Sequence, residues 1–599
     1  MDVDDCAYVP LAGIGQDFGM LHSEVFRQSR ISSLRKAKKD LTRREFLHHS
    51  ACGLALAVGR MAVPSKATGA ERGRRIWAAT DPAPQLIPER PGGTPSYWCT
   101  WDEQASTMTR PGGQLTATRH LNETLVFKDP GWITHYWQKV RKDLFVLYDG
   151  GWDIPLNVDY TGQRSWQLGS QEVAVDKFPS CTGAPAARLR KLNEMTQEAG
   201  WRGAGIWVAA QAYGDGKDGK LLTQAQVLEY LRERARWSHE AGIGYWKVDF
   251  GARENTPGFR RLMTDICRQE APGLVVEHAQ VCGPVNDEPC PWDKTPRVCH
   301  YTGRYAPWDN GRVLAGALEL LRFSATLRTY DVIMQFRIPS TLDRVADLVS
   351  RKQAHASGNG GIVLCEDQVY IGAGLGCAMG ILRGPHWIQL PGQDNNPYHI
   401  DSRLDEAVRA VRWQRLAPAF PAWQVEAHLD SQALTDDWYF KEGETNATWL
   451  FGHVARQGAP ARVSRGMPLP EVRTEGEPPF VIASRHPNGA VAVATLQRAS
   501  KERGIYMPLA DVAIVIGDGD SPVGIFGEYR SLGLTLSQDL GARRLWAQDL
   551  AGEAPVDITA KVGKHGRTLT MSGELIRQVG RAAASPGDIS NPGLVLKLI

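Results

Sequence analysis

The chain has 599 residues, more than one hydrophobic core normally serves, so a large domain plus an accessory one is expected. Apolar residues make up 42%, enough for sizeable cores, and charged residues 23%, close to an ordinary globular protein. The formal net charge is only +3, without a long basic stripe interleaved with aromatics, which argues against nucleic acid as a partner.

At the front, Thr42-Arg43-Arg44-Glu45-Phe46-Leu47 has the form of a twin-arginine signal, followed by the apolar run Ala51 to Val58 and small residues up to Ala70. The run is far short of the roughly 20 residues that span a bilayer, so it reads as the core of a signal, with no stable membrane insertion. Residues 1–70 are therefore expected to be an export signal and disordered N-terminus. The twin-arginine export machinery is the expected partner, and the location periplasmic or secreted. Of ten cysteines, Cys6 and Cys52 precede residue 70, which leaves eight in the mature chain. They show no Cys-x-x-Cys pair, and neither a metal nor a cofactor is expected. Cys282 and Cys290 are close enough in sequence to be a bridge in an oxidising compartment.

After a linker over 71–94, short apolar runs alternate with longer amphipathic stretches, the pattern of repeated βα units. Strands are expected at Tyr97–Thr100, Leu144–Tyr148, Ala204–Val208, Gly244–Val248, Leu274–Val276, Thr326–Thr329 and Gly361–Leu364, with His386–Leu390 as an eighth. Between them, Ala186–Ala199 and Gln224–Ala241 carry apolar residues at three- and four-residue spacing, as helices do. About eight parallel strands with helical crossovers suggest a (β/α)₈ TIM barrel over 95–425. No Gly-x-Gly-x-x-Gly follows the first strand, which disfavours a dinucleotide fold. Helical texture then fades, and runs such as Trp449–Phe451, Val491–Thr495, Val512–Ile516 and Leu594–Leu598 alternate with Gly, Pro and Asp turns. Residues 426–599 thus read as a C-terminal antiparallel β domain, a sandwich.

In such barrels, functional groups stand at the C-terminal ends of the strands. Strand four, GYWKVDFG, puts Lys247 and Asp249 two apart and therefore on one face. An ammonium beside a carboxylate keeps it ionised, as a nucleophile requires, although a lone Lys-x-Asp is more often a salt bridge on the rim. Strand two, LFVLYDGGWD, presents Asp149 and Trp152; strand five, VVEHAQ, presents Glu277 and His278; strand six, LRTYDV, presents Arg328 and Asp331. Four strands ending in acids, in order around one barrel, point to a site and not to stability alone. The 19 Trp exceed the 16 Tyr and 15 Phe, and indole rings pack on sugar faces as readily as they fill a core.

These phrases resemble, in order and spacing over about residues 95–390, the melibiase-type clan of α-galactosidases and α-N-acetylgalactosaminidases. The Trp-rich first strand appears as YWCTWD (Tyr97–Asp102), the DDGW ending as YDGGW, and the KFPSG phrase as DKFPS (Asp176–Ser180). The nucleophile phrase DYLKYD appears as GYWKVD, and later phrases as VEHAQ, LRTYD and GNGGIVLCEDQVYIG. The resemblance implies an exported retaining α-glycosidase, an α-galactosidase first of all, acting on an oligosaccharide or glycoside. Asp249 would be the nucleophile and Asp331 the acid/base. Asp149 and Lys247 would bind ring hydroxyls, Trp101 or Trp152 would floor the pocket, Arg328 and Glu277 would read the 2-hydroxyl, and Asp367 would complete the substrate contacts. A carboxylate at Glu277 favours a plain hexose over an N-acetylated one.

The chain also departs from that pattern. Gly150 replaces the second acid of strand two, with Asp153 as a candidate substitute. His278 replaces a Trp, and Glu366-Asp367-Gln368 replaces DPD. Arg328 and Asp331 are three apart where many members have four. If strand six is Val298–Tyr301, Asp309 competes with Asp331 for the acid role. The alternatives are the same chemistry on another sugar (an α-glucan, a β-L-arabinopyranoside or an α-N-acetylgalactosaminide), a non-catalytic exported carbohydrate-binding barrel, or a metal-dependent hydrolase. The last lacks a His-x-His or similar cluster.

Overall fold

The computed structural model describes residues 83–105, 118–158, 165–254, 256–279, 324, 327–331, 342, 345–346, 349, 362–367, 369–384, 403–420, 426–439, 454–500, 502–517 and 519–599. All fall in the compact unit Ile76–Ile599; the other unit, Met1–Arg75, contains the signal reading and lies outside the described residues. No helix among the described residues is long and apolar enough to cross a membrane.

Eight parallel strands form the first sheet: β1 (Tyr97–Cys99), β2 (Phe145–Tyr148), β3 (Gly203–Val208), β4 (Tyr245–Val248), β5 (Val275–His278), β6 (Arg328–Asp331), β7 (Ile362–Asp367) and β8 (Ala378–Ile381). In β2, β3 and β4 the side chains are buried on both faces, the mark of a parallel sheet covered by helices. The helix α1 (Pro185–Glu198) starts on a proline at its first position. In α2 (Gln224–Ala241), Thr223 and Gln226 form a reciprocal capping box, and Gly242 ends the helix in the left-handed conformation. The face of α2 turned to the sheet carries Val227, Tyr230, Leu231, Ala235 and Ala241. The helix α3 (Pro257–Glu270) again starts on proline.

The strand order is β5-β4-β3-β2-β1-β8-β6-β7. It follows sequence through β5, but β6 lies beside β8, and β7 lies on the outer side of β6. The eighth strand is Ala378–Ile381; the expected His386–Leu390 lies outside the described residues. Among the described residues, no pairing joins β5 to β7, so the sheet is not closed by hydrogen bonds. It curls nevertheless. Arg328 on β6 reaches Glu277 on β5 at 2.6 Å although six steps of the order β5-β4-β3-β2-β1-β8-β6 separate them. Small residues make room inside the curl: a Cβ on Gly205 would stand 2.8 Å from that of Tyr245.

Beyond the helices α4 (Val369–Leu375) and α5 (Leu404–Trp413), two further sheets of eight and five strands face each other across an apolar core. Val493, Ile525 and Leu596 from one sheet meet Val512, Leu534 and Met571 from the other. The expected antiparallel pattern is corrected to a mixed one, with parallel pairing of Arg462–Arg465 with 481–484, Val491–Ala494 with Val523–Phe526, and Asp511 onward with Ser531 onward. Alternation along a strand fixes which face is buried and not the direction of its neighbour, so sequence does not separate the two cases. The buried Arg409 holds α5 to these sheets through a two-pronged pair with Asp549, at 2.9 and 3.1 Å. Cys99, Cys181, Cys267 and Cys377 are buried thiols; the side chain of Cys365 and all of Cys282 and Cys290 lie outside the described residues.

Glu103, in the short helix Trp101–Ala105 after β1, is nearly fully buried and accepts a hydrogen bond from the Tyr136 hydroxyl at 2.8 Å. Burial pushes its carboxyl from 4.5 up to about 7, with the Tyr136 hydroxyl pulling the other way. A raised native pKa means that the folded state keeps a proton which the unfolded chain has lost. The contribution is therefore complete below about 4.5 and is lost as pH rises through about 7. By pH 8 that loss is on the order of 3 kcal/mol. Glu103→Gln is expected to remove this slope, so that the stability difference between variant and parent grows from pH 4.5 to pH 8 in urea titrations. Parallel pH profiles for the two proteins would refute the assignment.

Candidate functional site

The pleat puts Lys247 and Asp249 on the inner face of β4 and the turn that follows it, and register places Lys247 beside Trp207 of β3 and Glu277 of β5. Lys247 Nζ lies 2.8 Å from Asp149 Oδ2, at the end of β2, and 3.2 Å from Asp249 Oδ2. All three side chains are at least nine-tenths buried. Burial works against the ammonium's charge, but the Asp149 and Asp249 carboxylates outweigh it and hold Lys247 well above the ordinary lysine range.

The two carboxylates are held differently. Asp149 Oδ2 also accepts from Cys99 Sγ at 3.1 Å, and Oδ1 from the Gly150 amide at 2.8 Å, so both oxygens are engaged. Asp249 Oδ2 accepts from Trp207 Nε1 at 3.2 Å, whereas Asp249 Oδ1 is buried with no hydrogen-bond partner among the described residues. Leaving such an oxygen unsatisfied costs on the order of 1–3 kcal/mol, more for a charged group, which is a reason to look for a reacting or binding role. Chemically, the arrangement fixes one carboxylate oxygen and leaves the other free to attack.

The backbone of this strand end is clamped from outside the sheet. The buried Arg260 of α3 donates from Nη2 to the Asp249 carbonyl at 2.6 Å, from Nη1 to the Val248 carbonyl at 3.1 Å and from Nε to the Glu254 carbonyl at 2.8 Å. Burial lowers its guanidinium to about 10, against the pull of Asp249 and Glu254. Gly251 has φ +155°, and a Cβ there would come within 2.9 Å of the Ala210 backbone, so only glycine lets the loop after Asp249 lie against the end of β3.

Glu277 and Arg328 meet in a second cluster inside the curl. Arg328 Nη2 donates to Glu277 Oε1 at 2.6 Å, Tyr97 donates to the same oxygen at 3.2 Å, and Tyr245 donates to Oε2. Glu277 is completely buried, with both oxygens engaged by Arg328, Tyr97 and Tyr245. His278 is buried, bonded to Thr264 at 2.7 Å, and held well below the usual histidine range by burial and then by Arg260 and Arg268.

The other expected residues are placed as follows. Trp152 is fully buried and donates Nε1 to the Trp207 carbonyl at 2.9 Å; the ring beside Asp249 is that of Trp207. Trp101 is half-buried at the start of the helix after β1. Asp153 turns away, its Oδ2 accepting from the Gln171 amide at 3.0 Å, and does not take the place left by Gly150. A Cβ on Gly150 would lie 3.8 Å from the Trp207 ring, so the position has room for a larger residue. The backbone of Asp331 ends β6 and that of Asp367 ends β7, as register partners; their side chains, and all of Asp309, lie outside the described residues.

Sequence reading missed Trp207, Cys99 and Arg260. Trp207 was within reach, since it is two residues from Gly205 on the inward face of a recognised strand. Cys99 and Arg260 carry no local signal.

No protein-family model matches the chain, and no curated protein does either. Among solved structures it is similar to a GH27 β-L-arabinopyranosidase from Geobacillus stearothermophilus at 10% identity and TM-score 0.30, over 84% of this chain and 96% of that one. It is similar to α-galactosidase I from Mortierella vinacea at 10% identity and TM-score 0.28, over 84% and 96% of the two chains. A glucosidase from Croceicoccus marinus matches at 10% identity and TM-score 0.25, over 77% and 90%. Similarity at this level carries no weight beside the strand pairing and side-chain geometry above.

Proposed function

We propose that the protein is an exported retaining glycoside hydrolase on a (β/α)₈ barrel with a C-terminal β-sandwich, and an α-galactosidase first of all. The observation that carries the proposal is the pair of buried carboxylates bridged by Lys247, one of them with a single unpartnered oxygen. In the reaction, Asp249 Oδ1 attacks the anomeric carbon while Oδ2 stays on Lys247 and Trp207, giving a glycosyl ester. Asp331 protonates the departing glycosidic oxygen, then takes a proton from the water that cleaves the ester. Asp149 and Lys247 contact ring hydroxyls. Arg260 keeps the Asp249 main chain in place and does not touch the sugar.

A different sugar on the same machinery is the second reading. It is favoured by Gly150 and by the outward turn of Asp153, which together leave strand two with one acid facing the site. Export by the twin-arginine route, read from Arg43 and Arg44, completes the proposal. Release of nitrophenol from 4-nitrophenyl α-galactoside by residues 71–599, and its absence with Asp249→Ala, is the expected result. Activity on the β-L-arabinopyranoside, α-glucoside or α-N-acetylgalactosaminide instead would move the substrate and keep the mechanism. Silence on the whole panel would refute the hydrolase.

A further inference from the structure

Away from Lys247 and its carboxylates, the loops after β2 and β3 line a cavity of about 410 Å³ together with Arg188 of α1 and Arg234 of α2. That is within the range of small-molecule sites. Asp153, Trp166, Glu172, Arg188, Tyr213 and Arg234 supply its chemistry, and none of them belongs to the cluster around Asp249.

One wall is aromatic. Trp166 and Tyr213 stand with ring centroids 5.9 Å apart at 61°, and the Gly214 amide donates to the Trp166 carbonyl at 2.9 Å, which locks the two segments together. Tyr213 is 42% exposed, a large ring left open to solvent. The opposite chemistry is polar. Asp153 is 3% exposed, with Oδ2 taken by the Gln171 amide and by Ser170 Oγ at 3.0 and 3.3 Å. Its Oδ1 has no hydrogen-bond partner among the described residues. Arg234 is stacked on Tyr230 and Trp237 at 4.4 and 4.3 Å, so it is fixed in place as a donor. Lining charges of both signs, two arginines against Asp153, Glu172 and Asp176, do not select a strongly charged ligand. A ring with an apolar C–H face and several hydroxyl donors meets both halves of the cavity.

We propose that this cavity is a separate binding site for a neutral hexopyranosyl unit, stacked on Trp166 and Tyr213 and donating a hydroxyl to Asp153. The site communicates with the catalytic loop through Gln211. Its Nε2 donates to the Ser165 and Leu168 carbonyls at 2.8 and 3.2 Å, beside Trp166, while its Oε1 accepts from the Ala252 amide at 2.8 Å, three residues beyond Asp249. The choice of sugar as ligand rests on the glycosidase reading; the existence of the site does not.

The test is binding of melibiose to residues 71–599 carrying Asp249→Ala, followed by calorimetry and saturation-transfer NMR, with Trp166→Ala or Tyr213→Ala added. Each added change is expected to weaken binding at this site by about five-fold, the scale of one lost aromatic contact. In the chain with Asp249 intact, Tyr213→Ala is expected to leave hydrolysis of a nitrophenyl glycoside unchanged. Binding sensitive to Trp166 and Tyr213 in a protein that hydrolyses nothing would uphold this site and refute the catalytic proposal. Melibiose binding indifferent to both substitutions, or none at all, would overturn the site. Tyr213 is exposed, so its variant keeps the test decisive if Trp166→Ala fails to fold.

Discussion

Asp249→Ala is expected to lower turnover by roughly 10⁴- to 10⁶-fold, the scale seen when the nucleophile of a covalent mechanism is deleted. The reason lies in the asymmetry of its two oxygens. Lys247 and Trp207 hold Oδ2 at 3.2 Å each, and nothing among the described residues holds Oδ1. Sodium azide can take the place of a missing carboxylate in a double displacement, so it is expected to restore part of the rate and to yield a glycosyl azide of inverted configuration. A merely structural aspartate would lose activity without that rescue. With Asp249 intact, a slow 2-fluoro glycoside should add one fluorohexosyl unit to the peptide that contains Asp249. Labelling of any other acid would reassign the nucleophile.

Lys247→Met should carry the largest stability cost. The substitution keeps most of the side-chain volume and removes the positive charge that bridges Asp149 and Asp249. Stripping the partner from a buried ion pair typically costs about 3–5 kcal/mol, because the remaining charge stays desolvated. Here two carboxylates would be left facing each other, and one of them would escape by holding its proton. The folded variant would thus bind a proton that its unfolded chain releases, so its stability should fall as pH rises from 5 to 8. Urea midpoints across that range would show the gap to the parent widening with pH. A constant gap would mean that the lysine acts through packing and not through charge.

Arg260 shows why the sequence was silent on part of this site. Three carbonyl contacts at 2.6 to 3.1 Å hold the end of β4, yet the arginine sits in a helix among ordinary polar residues, and nothing in PGFRRLMTD separates it from Arg261. Cys99 is equally mute, because its value lies in a 3.1 Å approach to Asp149 across a strand boundary. Trp152 and Asp153 show the converse. Their phrase, YDGGWD, drew attention to the right turn, but which way each side chain leaves that turn depends on what packs around it. Trp152 is sealed beneath the Trp207 carbonyl, and Asp153 is drawn to the Gln171 amide.

Sequence alone determined what is local. Period-two alternation put Lys247 and Asp249 on one face, period 3.6 marked α1 and α2, and short apolar runs between them located the first five strands within a residue or two. Only tertiary structure decided what depends on neighbours distant in the chain. This includes the placing of β6 beside β8, the parallel pairs in the C-terminal sheets, the internal saturation of Glu277 and the convergence of Asp149, Lys247, Trp207 and Asp249. Strand neighbours and cross-strand contacts are settled by nonlocal packing and by the need to satisfy every buried polar group at once, and no single segment carries that information.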